Sequence, residues 1–489
     1  MKNTSARDLT QGPIGKTLSL FALPVLAGNV LQSLNGSVNA IWVGRFLGEQ
    51  ALTATANANN IMFFLIGAVF GIGMAATILV AQAIGAKDMP QAKRVIGTSV
   101  TFFFLVSLAI ALVGLPLSRR ILVWMATPAE ALPLAEAYLR IVFMGVPFLY
   151  MFASLQAILR GAGDTRTPFV FLILAVILDI GLNPLLIFGL GPFPKMGIAG
   201  SAMATLLANG ISLLAMILWL RHNRHALWIN RTENAVYKPD LAILRALLVK
   251  GLPMGLQMIV ISLSMIMMIS MVNRYGVDMT SAYGAAMQLW TYVQMPAMAI
   301  GAACSSMAAQ NVGARRWDRV DATARTGVLF NFLLTGALIL PIILFDRLTL
   351  SLFLPEASAA IANARHLNHI AVWSFLFFGV TFVVSGVVRS TGAVLPPLLI
   401  LVVAMWGIRV PFAMFLQSSL GADAIWWSFP VSSVCALAMS LAYYRWGGWR
   451  KAHMLANDPR TVAVPAEVPA QPPSPVADSG TEPLLRRED

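Results

Sequence analysis

The stretch LPVLAGNVLQSLNGSVNAIWVGRFLG at residues 23–48 decides how this chain folds, because its landmarks and those that follow it occur twice. The recurring residues return at a shift of 228 or 229 positions: Leu23, Pro24, Gln82, Gly85, Arg160 and Pro168 become Leu252, Pro253, Gln310, Gly313, Arg389 and Pro397. Composition alone would not place a proline, a glutamine and a glycine at one shift. The sequence therefore predicts two homologous halves.

The composition indicates an integral membrane protein. The 489 residues are 58% hydrophobic and only 11% charged, whereas about 25% of the residues of a soluble domain are charged. The net charge of +13 comes largely from basic residues in short loops, a pattern of membrane orientation and not of nucleic-acid binding. The lipid bilayer is the expected partner, and no nucleic acid is expected.

Twelve segments are apolar and long enough to cross a bilayer, which takes about 20 helical residues. They are 17–43, 53–83, 96–117, 132–159, 168–189, 197–220, 242–272, 281–310, 322–345, 360–388, 396–418 and 423–446. We therefore expect an all-α integral membrane protein with twelve transmembrane helices in two six-helix lobes. Six is an even number, so both lobes insert in the same direction and should be related by a pseudo-two-fold axis along the membrane normal.

The loops divide the chain further. The predicted lobes are residues 12–220 and 242–448, joined by a polar cytoplasmic linker at 221–241. The proline-rich segment 449–489 is predicted to be a disordered cytoplasmic tail. Most of the 34 Lys and Arg residues gather at one set of helix ends, so both termini should be cytoplasmic in a multi-pass protein of the inner membrane.

Asp179 is the carboxylate that lies deep in a predicted span of the first half. It lies eleven residues beyond Pro168, which at 1.5 Å per residue is about 16 Å deep. A carboxylate there costs at least about 2.5 kcal/mol, so its presence needs a reason. It either pairs with a buried base, for which Arg409 is the only candidate, or binds an ion or substrate. We expect the second, with Asn183 on the same face.

Polar stripes run along two other predicted spans at helical spacing. The stripe in the first span consists of Asn29, Gln32, Ser33, Gly36 and Asn39, with Asn35 adjacent to it, and the stripe in the sixth span consists of Ser201, Thr205, Asn209 and Ser212. Amides can join helices within a membrane, or they can line a water-filled cavity. Several amides on one helix favour the cavity. In the second half methionines and aromatic residues predominate, which fits either plain packing or a soft surface for flat apolar ligands.

The sequence contains short matches to enzyme motifs, but the residues around each match do not support an enzymatic site. Gly15-Lys16-Thr17 lacks the glycine that a phosphate-binding loop has five positions earlier. The glycines Gly71 and Gly73 lie inside an apolar helix and not after a strand, so close helix packing is expected. His366 and His369 are one turn apart without an evident acidic or cysteine partner, so no metal site is expected.

Five motifs together point to a known family. They are VAQAIGAKD at 80–88, LRGAGDTRTP at 159–168, LDIGLNPLLIFG at 178–189, GIAGSAMAT at 197–205 and RVP at 409–411. With these motifs, residues 12–448 resemble the MATE (multidrug and toxic compound extrusion) transporters. The resemblance implies two six-helix lobes around a central cleft. It also implies export of organic cations or similar drugs in exchange for H⁺ or Na⁺.

This chain departs from the family pattern at three places, and one of them is the second lobe, where the carboxylates that other members carry on helices 7 and 10 are missing. Many bacterial members have an acidic residue on the first helix, where this chain has Asn39. The paired site of the fifth helix often reads N-x-x-x-D, whereas this chain reads Asp179-x-x-x-Asn183. The acid is displaced by one turn, and Asp179 alone is left to carry a coupling charge in the first lobe.

We therefore predict a secondary antiporter that exports cationic, amphipathic small molecules by alternating access. Burial disfavours a charged carboxylate, so Asp179 can hold either a proton or a cation. Its expected partners in ion coupling and substrate binding are Asn183, Asn39, Asn35, Thr205 and Asn209, and Pro24 is the expected hinge. H⁺ is favoured because Na⁺ needs several oxygen ligands, which this set supplies only with waters. No cofactor beyond the coupling ion is expected, and the protein should be a monomer.

Three other functions stay open. A lipid-linked saccharide flippase of the same superfamily would favour a more basic cavity than this sequence indicates. An uncoupled facilitator is consistent with Asn39 in place of an acid. An intramembrane enzyme would need a nucleophile–base pair or a metal cluster, and neither is evident in the sequence.

Overall fold

The structure, a computed structural model, describes residues 8–229, 238–354 and 360–455, and the regular structure in these ranges is helical. The first half contains α1 (Ile14–Leu47), α2 (Glu49–Gly85), α3 (Met89–Trp124), α4 (Leu132–Gly161), α5 (Arg166–Phe188) and α6 (Ile198–His222). The second half contains α7 (Leu241–Val272), α8 (Val277–Gly313), α9 (Trp317–Leu344), α10 (Asp346–Ser351), α11 (Ala360–Ala371), α12 (Ser374–Arg389), α13 (Leu395–Val402), α14 (Val410–Phe415), α15 (Gln417–Leu420) and α16 (Asp423–Trp446).

Twelve helical segments in the described ranges match the twelve predicted spans. Ten segments are long and apolar enough to cross a membrane, and α11 with α12 forms an eleventh that bends by 44°. The twelfth is α8, which is 37 residues long and rich in small and polar residues. Two predicted spans are interrupted: 360–388 by this bend, and 396–418 by a π-helix at Val403–Arg409 between α13 and α14.

The predicted linker and tail are described only in part. The ends of α6 and α7 agree with a linker at 221–241, of which residues 230–237 lie outside the described residues. Ordered structure continues past residue 448, because Trp449 is buried and stacks on Tyr444 with a ring separation of 5.0 Å. The predicted tail from residue 456 onward lies outside the described residues.

The repeat is visible in the turns that precede corresponding helices. Gly48 before α2 and Gly276 before α8 have φ of 87° and 92°, each with ψ of 179°. Gly197 before α6 and Gly421 before α16 have φ of 56° and 59°, with ψ of −130° and −136°. Glycine reaches such positive φ values without the steric cost of a Cβ. Both halves thus enter equivalent helices through the same turns.

The two halves meet along α2, which packs against α7 and α8, and along α1, which packs against α8. The crossing of α2 and α7 depends on glycine. A Cβ at Gly71 would overlap the backbone of Gly251 and Gly255. Small residues allow such close approach of membrane helices, which is the packing expected for Gly71 from the sequence.

A matched pair of hydrogen bonds joins the halves at the end rich in basic residues. Gln82 Nε2 of α2 donates to the carbonyl oxygen of Ser390 at 2.6 Å, and Gln310 Nε2 of α8 donates to the carbonyl oxygen of Gly161 at 3.1 Å. Donors and acceptors are repeat partners, at shifts of 228 and 229 positions. We call these four residues the glutamine clasp. Its two bonds are related as a pseudo-two-fold axis requires.

Two glycines make the glutamine clasp possible. A Cβ at Gly85 would overlap the carbonyl oxygen of Gln310, and a Cβ at Gly313 would overlap that of Gln82. The ends of α2 and α8 therefore touch backbone to backbone.

Candidate functional site

Asp179 lies in α5 between α1 and α6, with 3% of its surface exposed. Each carboxylate oxygen accepts a hydrogen bond from another helix: Oδ2 from Asn35 Nδ2 at 2.8 Å, and Oδ1 from Thr205 Oγ1 at 2.9 Å. Hydrogen bonds from neutral donors stabilise a carboxylate without neutralising its charge. Three helices of the first half therefore converge on one acid.

Asn183 lies one turn beyond Asp179 and is 1% exposed. Its Nδ2 is 3.3 Å from Asp179 Oδ1 and 3.1 Å from the Asp179 carbonyl oxygen. Its Oδ1 is buried and has no hydrogen-bond partner among the described residues. A buried acceptor beside a carboxylate can receive a proton donor or help to hold a cation.

The other predicted site residues extend this network along α1 and α6. Asn39 Oδ1 accepts from Ser201 Oγ at 2.7 Å, and Asn209 Nδ2 donates to the Thr205 carbonyl oxygen at 2.8 Å. Neither residue bonds to Asp179 itself. The Asp179 cluster consists of Asp179, Asn183, Asn35, Thr205, Asn39 and Asn209.

Asp179 does not pair with a buried base among the described residues. Its side-chain hydrogen-bond partners there are the neutral residues Asn35, Asn183 and Thr205. Arg409 is buried in the second half. There its Nε donates to Ser432 Oγ at 2.9 Å, and its guanidinium lies 4.4 Å from the centre of the Phe429 ring. The cost of burying Asp179 is therefore not offset by an ion pair with Arg409.

A cavity of about 290 Å³ lies between the halves, next to the Asp179 cluster. Its walls come from α1, α2, α4, α5 and α6 on one side and from α8 and α12 on the other. Asn29, Gln32 and Asn209 line it. The polar stripe of α1 thus divides: Asn29 and Gln32 face the cavity, whereas Asn35 and Asn39 bond to α5 and α6.

Arg160 is a cavity residue that the sequence did not reveal as one. It is the charged residue among the described residues that line the central cavity. From the sequence it belongs to a basic loop end, and only its recurrence as Arg389 marks it. The cavity is therefore more basic than expected, and Arg160 alone makes it so.

Tyr138 of α4 is a second residue that sequence reasoning missed. It is buried and lies close enough to Asp179 for a Coulombic interaction with the carboxylate. A tyrosine in an apolar span ordinarily packs, so no sequence signal distinguishes it.

Pro24 lies toward the basic end of α1, which continues through it as one helix. It borders a smaller cavity of about 70 Å³ together with Asn29, Gln32 and Arg160. Pro24 precedes Asn35 by eleven residues, about 16 Å along the helix axis. It therefore does not touch the Asp179 cluster, and its role as a hinge stays a prediction.

The two histidines of α11 have acidic partners, contrary to expectation. His366 Nε2 is 2.8 Å from Asp423 Oδ1, and His369 Nε2 is 3.1 Å from Asp346 Oδ2. The partners come from α16 and α10, which are distant in sequence. Burial raises the pKa of Asp346, but hydrogen bonds from Arg365 and His369 outweigh it and lower that pKa overall. Within the described residues no group of three such side chains could hold a metal.

Comparison with known families identifies the fold. The MatE family model matches residues 24–185 and again residues 253–415. The two matches begin 229 positions apart, which is the shift found within the sequence. This chain belongs to the MatE family. Membership makes it a multi-pass membrane transporter and not an enzyme, and the double match confirms the two-half reading.

Curated relatives and solved structures agree with this assignment. The probable multidrug resistance protein YoeA of Bacillus subtilis is 38% identical over 90% of this chain and 95% of its own length. The probable multidrug resistance protein YpnP of the same organism is 33% identical over 91% and 98%. An outward-facing MATE transporter of the MOP superfamily superposes with a TM-score of 0.83 at 22% identity, covering 91% of this chain and 98% of that one. The expected twelve-helix, two-lobe membrane fold is confirmed.

Proposed function

We propose that this chain is a proton-coupled multidrug exporter of the inner membrane, with Asp179 as the residue that carries the coupling charge. The observation that carries this proposal is a buried carboxylate held only by neutral donors, next to a cavity that both halves line. The multidrug resistance names of relatives at 38% and 33% identity support the substrate class. A carboxylate also favours cationic, amphipathic substrates.

The Asp179 cluster provides a way to exchange a proton for a cation. In the charged form, Asn35 and Thr205 donate to the two carboxylate oxygens. In the protonated form, the carboxyl O–H becomes a donor and needs an acceptor. Asn183 Oδ1, buried without a partner, supplies one after rotation of its amide. Asp179 therefore has hydrogen-bond partners in both its charged and its protonated form, which favours H⁺ as the coupling ion.

The two ends of the molecule supply alternating access. We assign the basic end, including both termini, to the cytoplasm. The glutamine clasp then closes the cytoplasmic side, as in an outward-facing state. Rearrangement of α1 about Pro24 would move Asn29 and Gln32 relative to the cavity. We expect a monomer, because one chain supplies both walls of the cavity.

Transport by purified protein in proteoliposomes tests this function. The probe is ethidium, a fluorescent organic cation, and gradients of pH or of Na⁺ are imposed separately. We expect a pH gradient to drive ethidium against its concentration gradient, and a Na⁺ gradient at equal pH to have no effect. If a Na⁺ gradient alone drives ethidium accumulation, the coupling ion is Na⁺ and not H⁺. Equilibration without accumulation under either gradient would mean an uncoupled facilitator.

A second candidate function is flipping of a lipid-linked anionic substrate, and Arg160 in the cavity wall favours it. The same proteoliposomes can carry a fluorescent lipid with a diphosphate headgroup. A flippase would move this lipid between leaflets at a rate that falls in the Arg160→Gln variant, whereas ethidium would not be accumulated. Exporter and flippase thus give opposite results with the two probes.

A further inference from the structure

Arg389 at the end of α12 is a buried cation without an anionic partner. It is 2% exposed, and Nη1 donates to Gln257 Oε1 of α7 at 2.6 Å. Nε and Nη2 are buried and have no hydrogen-bond partner within the described residues. A guanidinium keeps its charge in proteins, so this burial is costly unless something neutralises it.

The unpaired polar atoms of Arg389 and of its neighbour Gln257 are all hydrogen-bond donors. Because Gln257 Oε1 accepts from Arg389, its Nε2 points elsewhere and is also buried without a partner. Three N–H-bearing atoms, two from Arg389 and one from Gln257, are therefore left unpaired. Unpaired donors around a fixed positive charge are complementary to an anion.

A small cavity lies beside the side chains of Arg389 and Gln257. It measures about 30 Å³, and its lining includes Arg389, Gln257, Ser385 and Thr381. One water or one small ion occupies a space of this size, whereas a drug-sized molecule does not. Phe70 and Phe382 line both this cavity and the central one, so the two cavities lie side by side.

Other features near Arg389 do not neutralise it. The Phe382 ring, 5.3 Å from the guanidinium, offers a cation–π contact that leaves the N–H groups unpaired. The carboxyl end of α12 carries only a partial negative charge. Lys250 adds a further positive charge nearby, since its Nζ donates to the Gly392 carbonyl oxygen at 2.9 Å.

We propose that the cavity formed by Arg389 and Gln257 binds a small anion, of the size of chloride or of a carboxylate group. The anion receives hydrogen bonds from Arg389 Nε and Nη2 and from Gln257 Nε2, and it neutralises the guanidinium. The site is separate from the Asp179 cluster, and it does not depend on the substrate that the central cavity carries.

Thermal unfolding of the detergent-solubilised protein tests this site. Sodium gluconate, whose anion is too large for the cavity, is replaced stepwise by sodium chloride at constant ionic strength. We expect the melting temperature to rise and to saturate with chloride concentration, because ligand binding to the native state stabilises it. The same series with sodium acetate shows whether a carboxylate group also fits. Equal melting temperatures in all three salts would overturn the proposal.

Two variants and one control assign the effect to Arg389. Arg389→Gln should abolish the chloride-dependent shift. Gln257→Glu places a carboxylate beside the guanidinium, so this variant should be stable in gluconate and insensitive to chloride, which keeps the test valid if Arg389→Gln fails to fold. Arg160→Gln, at the repeat-equivalent position, should retain the shift. A Gln257→Glu protein that responds to chloride like the wild type would contradict the proposal.

Discussion

The two halves of this transporter are alike where they touch, but they bury opposite charges: Asp179 in the first half and Arg409 in the second. The segments matched by the family model begin 229 positions apart and end 230 apart. The segment of the second half that corresponds to α5 contains the buried Arg409, whereas α5 contains the buried Asp179. Thr205 donates to Asp179, and Arg409 stacks on Phe429. When α6 and α16 are aligned at Gly197 and Gly421, Thr205 and Phe429 occupy equivalent positions.

If Asp179 carries the coupling charge, as we propose, the halves share a mechanism of movement but not a mechanism of coupling. The surroundings of Arg409 are aromatic: Trp290 packs on Phe429 at 5.3 Å between ring centres, and Tyr283 packs on Trp426 at 5.7 Å. A guanidinium there stays charged and cannot exchange a proton. The coupling charge that we propose thus lies in the first half, while the glutamine clasp draws one donor and one acceptor from each half.

Substitutions at Gly85 and Gly313, the two glycines that lie against the glutamine clasp, give the largest expected effect on the contact between the halves. Gly85→Ala and Gly313→Ala each place a Cβ on the backbone of the opposite half, and overpacking of this kind costs about 1–3 kcal/mol. Both variants should lose most ethidium export, and to a similar extent, because they oppose closure of the same end. Export is measured in the proteoliposome assay.

Matched controls come from the same two helices. Gly67 of α2 and Gly284 of α8 have open space where a Cβ would lie, so Gly67→Ala and Gly284→Ala should export normally. A loss in Gly85→Ala without a loss in Gly313→Ala would show that the halves do not close symmetrically.

Substitution of the repeated prolines, Pro24 and Pro253, should have a smaller effect on ethidium export, and the effect should differ between the halves. Pro24 lies in the helix that carries Asn29, Gln32 and Asn35, whereas Pro253 lies in α7, which has methionines instead. Pro24→Ala should reduce ethidium turnover by about threefold or more while leaving its binding affinity nearly unchanged, because conformational steps set many transport rates. Pro253→Ala should affect turnover less. If both variants slow ethidium turnover equally, α1 has no hinge role that α7 lacks.

The sequence predicted those features that depend on position along one helix. The depth of Asp179 and the four-residue spacings of α6 follow from helix geometry, so the residues of the Asp179 cluster could be named in advance. Recurrence marked Gln82 and Gln310, but their acceptors at Ser390 and Gly161 depend on how two halves pack. Hydropathy could not reveal this pairing.

The features that the sequence did not predict depend on tertiary packing. Arg160 has the sequence context of a loop-end cation, and only the packing of α4 turns it toward the cavity. The sequence names Asn35 as a site residue, but the hydrogen bond from its amide to Asp179 depends on how α1 packs on α5. Neither hydropathy nor the internal repeat predicted the π-helix at Val403–Arg409.

Gradient-driven export of ethidium by Asp179→Asn, with Arg409→Met beside it, tests the central claim most directly. Asp179→Asn removes a buried charge and should fold, yet it should no longer accumulate or expel ethidium against its gradient, because the amide cannot exchange a proton. Arg409→Met also removes a buried charge, and it should retain pH-driven export. If Asp179→Asn exports ethidium against its gradient like the wild type, or if Arg409→Met loses coupling to the same extent, the coupling charge is not confined to Asp179 and the account is contradicted.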